Sequence, residues 1–162
     1  MKYLTIILLI GLFGCQEDPI QPQQPQAPTL EVYCDYNGQT IDYSDIISAS
    51  KTGNMYTITA VNDNGTNETD DDKGIQLVFT ADQTGTIQLT SVQGSANYIA
   101  FTFSNPNATM FSQFAPNPGT INITEIDETN KSISGTFQTE VSNTSQTQTD
   151  QAINGYFEIE YL

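Results

Sequence analysis

Histidine, arginine and tryptophan are absent from the 162 residues, and each absence removes a class of chemistry. Without His, neither a Ser-His-Asp nor a Cys-His arrangement can be assembled. The usual His/Cys zinc site is excluded with them. Without Trp, the usual aromatic platform for a sugar ring is missing. Basic charge is scarce: four lysines stand against nineteen Asp and Glu, for a formal net charge of −15. Such a surface repels phosphate backbones, which argues against nucleic acid as a partner. It also repels anionic lipid headgroups, so any membrane attachment has to come from acyl chains. The acidity itself reads as solubility. Only two cysteines are present, Cys15 and Cys34, and the disulfide framework of a small exported domain is absent. Good helix formers are few, and no long stretch repeats apolar residues at a 3.6-residue period.

What is present begins with an address. Lys2 precedes an apolar run over residues 3–13, too short to span a bilayer but right for an export signal. The run ends in Leu12-Phe13-Gly14-Cys15, which resembles the lipobox of bacterial lipoproteins. That resemblance implies removal of residues 1–14 and acylation of Cys15, with palmitate among its chains, and two or more chains anchor stably. Gln16-Glu17-Asp18 resembles the surface-export signal of Bacteroidota lipoproteins. An outer-membrane lipid anchor is expected, with cell-surface display ahead of a periplasmic-facing position. Pro19, Pro22, Pro25 and Pro28 follow at every third residue and share one edge of a polyproline II rod. Within the linker over residues 15–29, Gln16 to Thr29 reaches about 40 Å at roughly 3.1 Å per residue if fully extended.

About 130 residues remain, over 30–162, enough for one domain with its own core. Their period is two. Leu30, Val32, Cys34 and Tyr36 alternate with polar neighbours, Asn37-Gly38 marks a hairpin turn, and residues 40–43 return. Cys34 thus falls on the apolar face, as a small buried hydrophobe. Tyr56-Ile58-Ala60, Ile75-Leu77-Phe79, Ile87-Leu89, Ile99-Phe101-Phe103 and Ile121-Ile123 continue the pattern, and residues 132–141 and 152–161 close it. The expected fold is all-β: a single antiparallel β-sandwich or barrel of about 8–9 short strands. The one helix allowed is a short piece around residues 44–50. Ile133-Ser-Gly-Thr-Phe137 and Ile153-Asn-Gly-Tyr-Phe157 echo each other, as neighbouring strands of one hairpin would. A strand glycine marks a bulge, a bend or a close backbone approach.

The same stretches carry a wider resemblance. Gly119-Thr-Ile-Asn-Ile-Thr-Glu-Ile-Asp127, Lys131-Ser-Ile-Ser-Gly-Thr-Phe137 and Ile153-Asn-Gly-Tyr-Phe-Glu-Ile-Glu-Tyr161 are similar to the C-terminal half of a family of uncharacterised Bacteroidota lipoproteins. The hairpin over residues 30–43 has no counterpart in that resemblance. It implies fold and compartment, and no catalytic residue.

Two loops hold candidate chemistry. Asp63, Glu68, Asp70, Asp71 and Asp72 offer hard oxygen ligands suited to Ca²⁺. They lack EF-hand spacing, and a solvated loop is the preferred reading, so no metal and no cofactor is expected. In residues 105–119, Met110, Phe111 and Phe114 stand among prolines. They either cap an open end of the sheet or form a contact surface. Capping is preferred, and this loop is the first place to seek a ligand contact. A carboxylate pair for glycoside hydrolysis has ample Asp and Glu to draw on, but no pair stands out.

The leading expectation is a non-enzymatic envelope lipoprotein that acts by binding a protein or glycan partner or by structural contact. A small-ligand or glycan-binding module with its pocket under Phe111 and Phe114 comes second, and a carboxylate-dependent hydrolase third. A closed barrel with an apolar cavity favours the second, and two carboxylates across a cleft the third. A filled core favours the first.

Overall fold

The computed structural model describes residues 30–63, 72–104 and 108–162. The export signal, Cys15, the proline linker and Glu68, Asp70 and Asp71 of the acidic loop lie outside the described residues. Among the described residues eleven strands follow one another: β1 Glu31–Tyr36, β2 Gln39–Asp42, β3 Ile46–Thr52, β4 Met55–Asn62, β5 Lys73–Thr80, β6 Gly85–Gln88, β7 Tyr98–Phe103, β8 Ala108–Phe111, β9 Thr120–Asp127, β10 Ser132–Ser142 and β11 Thr149–Glu160. The domain is nearly all β, as its residue pattern predicts, and among the described residues a 3-10 turn lies at Ser112–Phe114.

Nine strands form one path, β2-β1-β11-β10-β8-β7-β5-β4-β3, and β9 branches from β10 to pair β6. The branch point is the eleven-residue β10. Its Ser132–Gln138 segment pairs β9, and its last residue, Ser142, pairs Phe111 of β8. Chain connectivity forces the path to curl. Nine strands laid flat are about 38 Å across at ~4.8 Å spacing. Yet β2 and β3, at opposite ends of the path, are joined by Tyr43, Ser44 and Asp45 alone. Four peptide steps reach at most about 14 Å, so the two ends must lie within that distance of each other. Tyr43 N–H donates to Val32 O (2.7 Å), and Ser44 forms a parallel bridge to Val61 of β4. The result is a half-barrel with its core inside the curl.

Inward residues come from both arms of the curl. Tyr56 stacks on Phe79 (5.4 Å), and Phe79 meets Phe157 across the core (5.8 Å). Tyr36 packs on Phe101 (4.8 Å). Cys34 is fully buried, and burial pushes its thiol up to about 12, so it stays protonated and inert. At the far seam, Lys51 of β3 donates to Glu128 and lies over the Tyr56 and Tyr161 rings.

Two elements differ from the sequence reading. Residues 44–50 hold no helix: β3 runs through them, pairing β4 over seven consecutive positions. Without β3, strand β4 would stand at the sheet edge with its backbone donors and acceptors open, and the alternation of half-buried Ile47 and Ala49 with exposed Ser48 and Ser50 suits a strand. Residues 105–119 are likewise more than a loop, because β8 lies within them and closes the path between β7 and β10. These two strands raise the count from nine to eleven.

Candidate functional site

The outer face of β1, β11, β10 and β9 carries the polar surface depressions. Strand β11 sits between β1 and β10, and it contains one more residue than either neighbour has places for. Tyr33 and Asp35 of β1 face Tyr156 and Ile153, and Phe137 and Thr139 of β10 face Gly155 and Ala152. In both pairings two steps on the neighbour match three on β11, the definition of a bulge. Asn154 takes up the surplus in the left-handed region (φ 53°), a conformation that Asn tolerates. Ala152, Gly155 and Phe157 consequently all remain in the core, while Ile153 is turned outward and is 47% exposed.

The echo between the last two strands has a packing cause. Gly135 lies opposite Phe157 and Gly155 opposite Phe137. A Cβ on Gly155 would stand 2.5 Å from the Phe137 ring, and one on Gly135 would stand 2.7 Å from the Phe157 ring and 2.6 Å from Asn122 O. Each glycine makes room for the phenylalanine of the other strand.

Two depressions flank the bulge and meet at Gln138. One, about 450 Å³, lies between β10, β11 and the segment Pro116-Asn117-Pro118. Its carboxylate is Glu140, which accepts from Asn117 Nδ2 (3.1 Å) and Gln151 Nε2 (3.4 Å). The other, about 440 Å³, is lined by Tyr33, Asn122, Thr136, Asn154 and Tyr156. Tyr33 and Tyr156 are cross-strand partners with ring centroids 5.4 Å apart. Tyr156 Oη donates to Glu158 (2.7 Å), and burial followed by that carboxylate pushes its phenol up to about 12. Beside them, Asp35 accepts from Thr40 (2.6 Å) and Asn154 (2.8 Å), and these bonds hold its carboxyl below the usual range. None of the described lysines lines either depression. Neither depression holds a pair of facing carboxylates.

The residues singled out in the sequence lie elsewhere. Met110 points into the core, opposite Phe101 in the β7–β8 pairing. Phe111 and Phe114 are half-buried and meet edge to face at 5.5 Å. Phe114 borders a third depression of about 380 Å³ with Ser91, Ser142 and Gln146. Of the acidic loop, Asp63 N–H donates to Asp45 (2.8 Å), and Asp72 O accepts from Ser104 N–H (3.1 Å). Among the described residues no three metal-ligating side chains converge. Sequence reading missed Ile153, Asn154 and the Tyr33–Tyr156 pair. The available signal was Asn154-Gly155, a turn-type dipeptide set inside a strand.

Among the described residues no helix is long and apolar enough to cross a membrane. No curated protein and no solved structure matches the chain. The family described as Domain of unknown function (DUF6252) matches residues 35–159, from the middle of β1 almost to the end of β11, and the chain belongs to that family.

Proposed function

We propose that this chain is a cell-envelope lipoprotein, held at the outer membrane by acyl chains on Cys15, that works by binding rather than by catalysis. The anchoring half of the reading rests on Leu12-Phe13-Gly14-Cys15 and the acidic residues after it. The binding half is carried by one observation: two polar depressions meet on the outer face of the sheet, and the one carboxylate that lines either of them, Glu140 in the first, has both oxygens engaged by amides. General acid–base chemistry needs a carboxyl free to exchange a proton with substrate, and glycoside hydrolysis needs two of them facing each other. The proline run then acts as a spacer that lifts the domain away from the lipid surface.

Metabolic labelling with an alkyne-tagged palmitate tests the anchor. The wild-type chain takes up label and fractionates with membranes, and Cys15→Ala loses the label and its membrane fraction together. Label retained by Cys15→Ala would defeat the assignment. Protease added to intact cells then separates surface display, which allows degradation, from a periplasmic-facing position, which protects the domain.

A further inference from the structure

We propose that the outer face of β9, β10, β11 and β1 is a binding site for a neutral oligosaccharide, laid across the two depressions that meet at Gln138. The inference rests on the reading of this chain as a binding protein and names its ligand class.

The bulge is the first argument. Removing its surplus residue would leave β11 with two steps against two on both neighbours, with Ala152 and Gly155 still directed at the core. The core therefore does not need it. The surface uses it: Ile153 lines one depression and Asn154 the other. Bulges interrupt a ladder and re-aim side chains, and they recur beside functional sites. Here the interruption falls in a strand paired on both sides.

The lining is the second argument. Gln88, Asn117, Gln138 and Gln151 in one depression and Asn122, Thr136 and Asn154 in the other are amides and hydroxyls, which both donate and accept. Sugar hydroxyls also do both. An anion would need positive charge, and no described lysine is present to supply it. A basic peptide would need free carboxylates, and the one carboxylate that lines either depression, Glu140, already accepts from Asn117 and Gln151. The third argument is the Tyr33–Tyr156 pair. Tyr33 is 37% exposed at the end of the second depression, and the pair offers an apolar surface edged by hydroxyls in place of the missing Trp. Each depression falls within the roughly 300–1,000 Å³ of small-ligand sites.

Isothermal titration of the purified full-length protein tests the site. The probes are cellohexaose, xylohexaose, mannohexaose and maltohexaose, with hexalysine and hexagalacturonate as charged counterparts. At least one neutral hexasaccharide is expected to bind with a dissociation constant below about 1 mM. Tyr33→Ala weakens that binding about tenfold. Gln138→Ala, at the junction, weakens it as well, and thermal melting confirms that each variant is folded. Phe114→Ala, outside both depressions, leaves it unchanged. Binding of none of the four neutral sugars, preference for hexalysine, or binding indifferent to both Tyr33→Ala and Gln138→Ala in folded protein overturns the proposal. Mass spectrometry of the titrated sugar distinguishes the two readings. Cleavage products would end the non-enzymatic reading and leave the site standing, whereas absent binding would end the glycan assignment and leave the anchored binding protein.

Discussion

The two arms of the half-barrel hold the same core by different means. In β3, β4, β5 and β7 the pairing is unbroken: seven consecutive pairs between β3 and β4, eight between β4 and β5, and six between β5 and β7. In β9, β10, β11 and β1 every one of the three interfaces contains a register shift, at Ser134/Gly135, at Phe137/Thr139 and at Tyr33/Asp35. Both arms bury aliphatic and aromatic side chains inward, so burial does not explain the difference. The irregular arm is the one that carries the two depressions meeting at Gln138. Regular pairing is what alternating residues yield unaided, and departures from it here track the outer surface.

The largest effect should come from a residue that both arms share. Phe79 stacks on Tyr56 within the regular arm and meets Phe157 of the irregular one. Phe79→Ala is expected to destabilise the domain by about 3–5 kcal/mol, read from urea unfolding. A loss below about 1 kcal/mol would mean that the arms do not form one core.

Glycine substitutions separate the arms next. Gly135→Ala drives a methyl against Asn122 O and the Phe157 ring, and the backbone oxygen cannot rotate away. A cost of about 1–3 kcal/mol is expected. Gly74→Ala in β5 meets the Thr102 hydroxyl, and that side chain can turn aside. Its effect should stay within about 0.5 kcal/mol. Equal costs at the two positions would remove the distinction between a tightly interlocked arm and a tolerant one.

Deletion of Asn154 tests whether the irregularity serves the surface. Because it restores two-for-two pairing on both sides of β11, stability should change by about 1 kcal/mol or less. Both depressions should lose their shape, visible as altered amide shifts along β1 and β10. A loss above about 3 kcal/mol would make the bulge a packing device and withdraw the main support for a site there.

These contrasts also mark how far the sequence could be read. Val32-Cys34-Tyr36 and Ile75-Leu77-Phe79 announced strands because one buried face imposes a period of two, and all six are buried. Strand β3 is hard to read because it is an edge strand that buries little, so Ile47 and Ala49 among serines leave a faint pattern. Strand β8 has four residues and sits among prolines, too short for any period to show. The bulge was hidden by its own repeat. Ile133 and Ile153 occupy the same place in matching pentapeptides, yet Ile133 is buried and Ile153 exposed, because only the second copy contains the surplus residue. The candidate site was the least legible part. Tyr33, Asn122, Gln138 and Tyr156 come from four strands, and only the register between those strands brings them together.

The smallest effect concerns two carboxylates held low by different chemistry. Asp35, on the irregular arm, is held by uncharged donors, Thr40 first and then Asn154. Glu128, at the seam with β3, is held by Lys51 first and then by the Tyr161 hydroxyl. In both, the folded-state value lies below the unfolded one, so each contributes stability that is present above the unfolded value and lost as pH falls through the folded one. NMR titration of the side-chain carboxyls should therefore find both below their ordinary values at low salt. Raising the salt to about 1 M, where the screening length shrinks to roughly 3 Å, should move Glu128 back toward its ordinary value and leave Asp35 in place. Thr40→Val should do the converse, raising Asp35 and leaving Glu128 unchanged. If salt raised the two alike, Asp35 would be held low by a positive charge rather than by Thr40 and Asn154. The polar network beside the Tyr33–Tyr156 pair would then be looser than its hydrogen bonds imply.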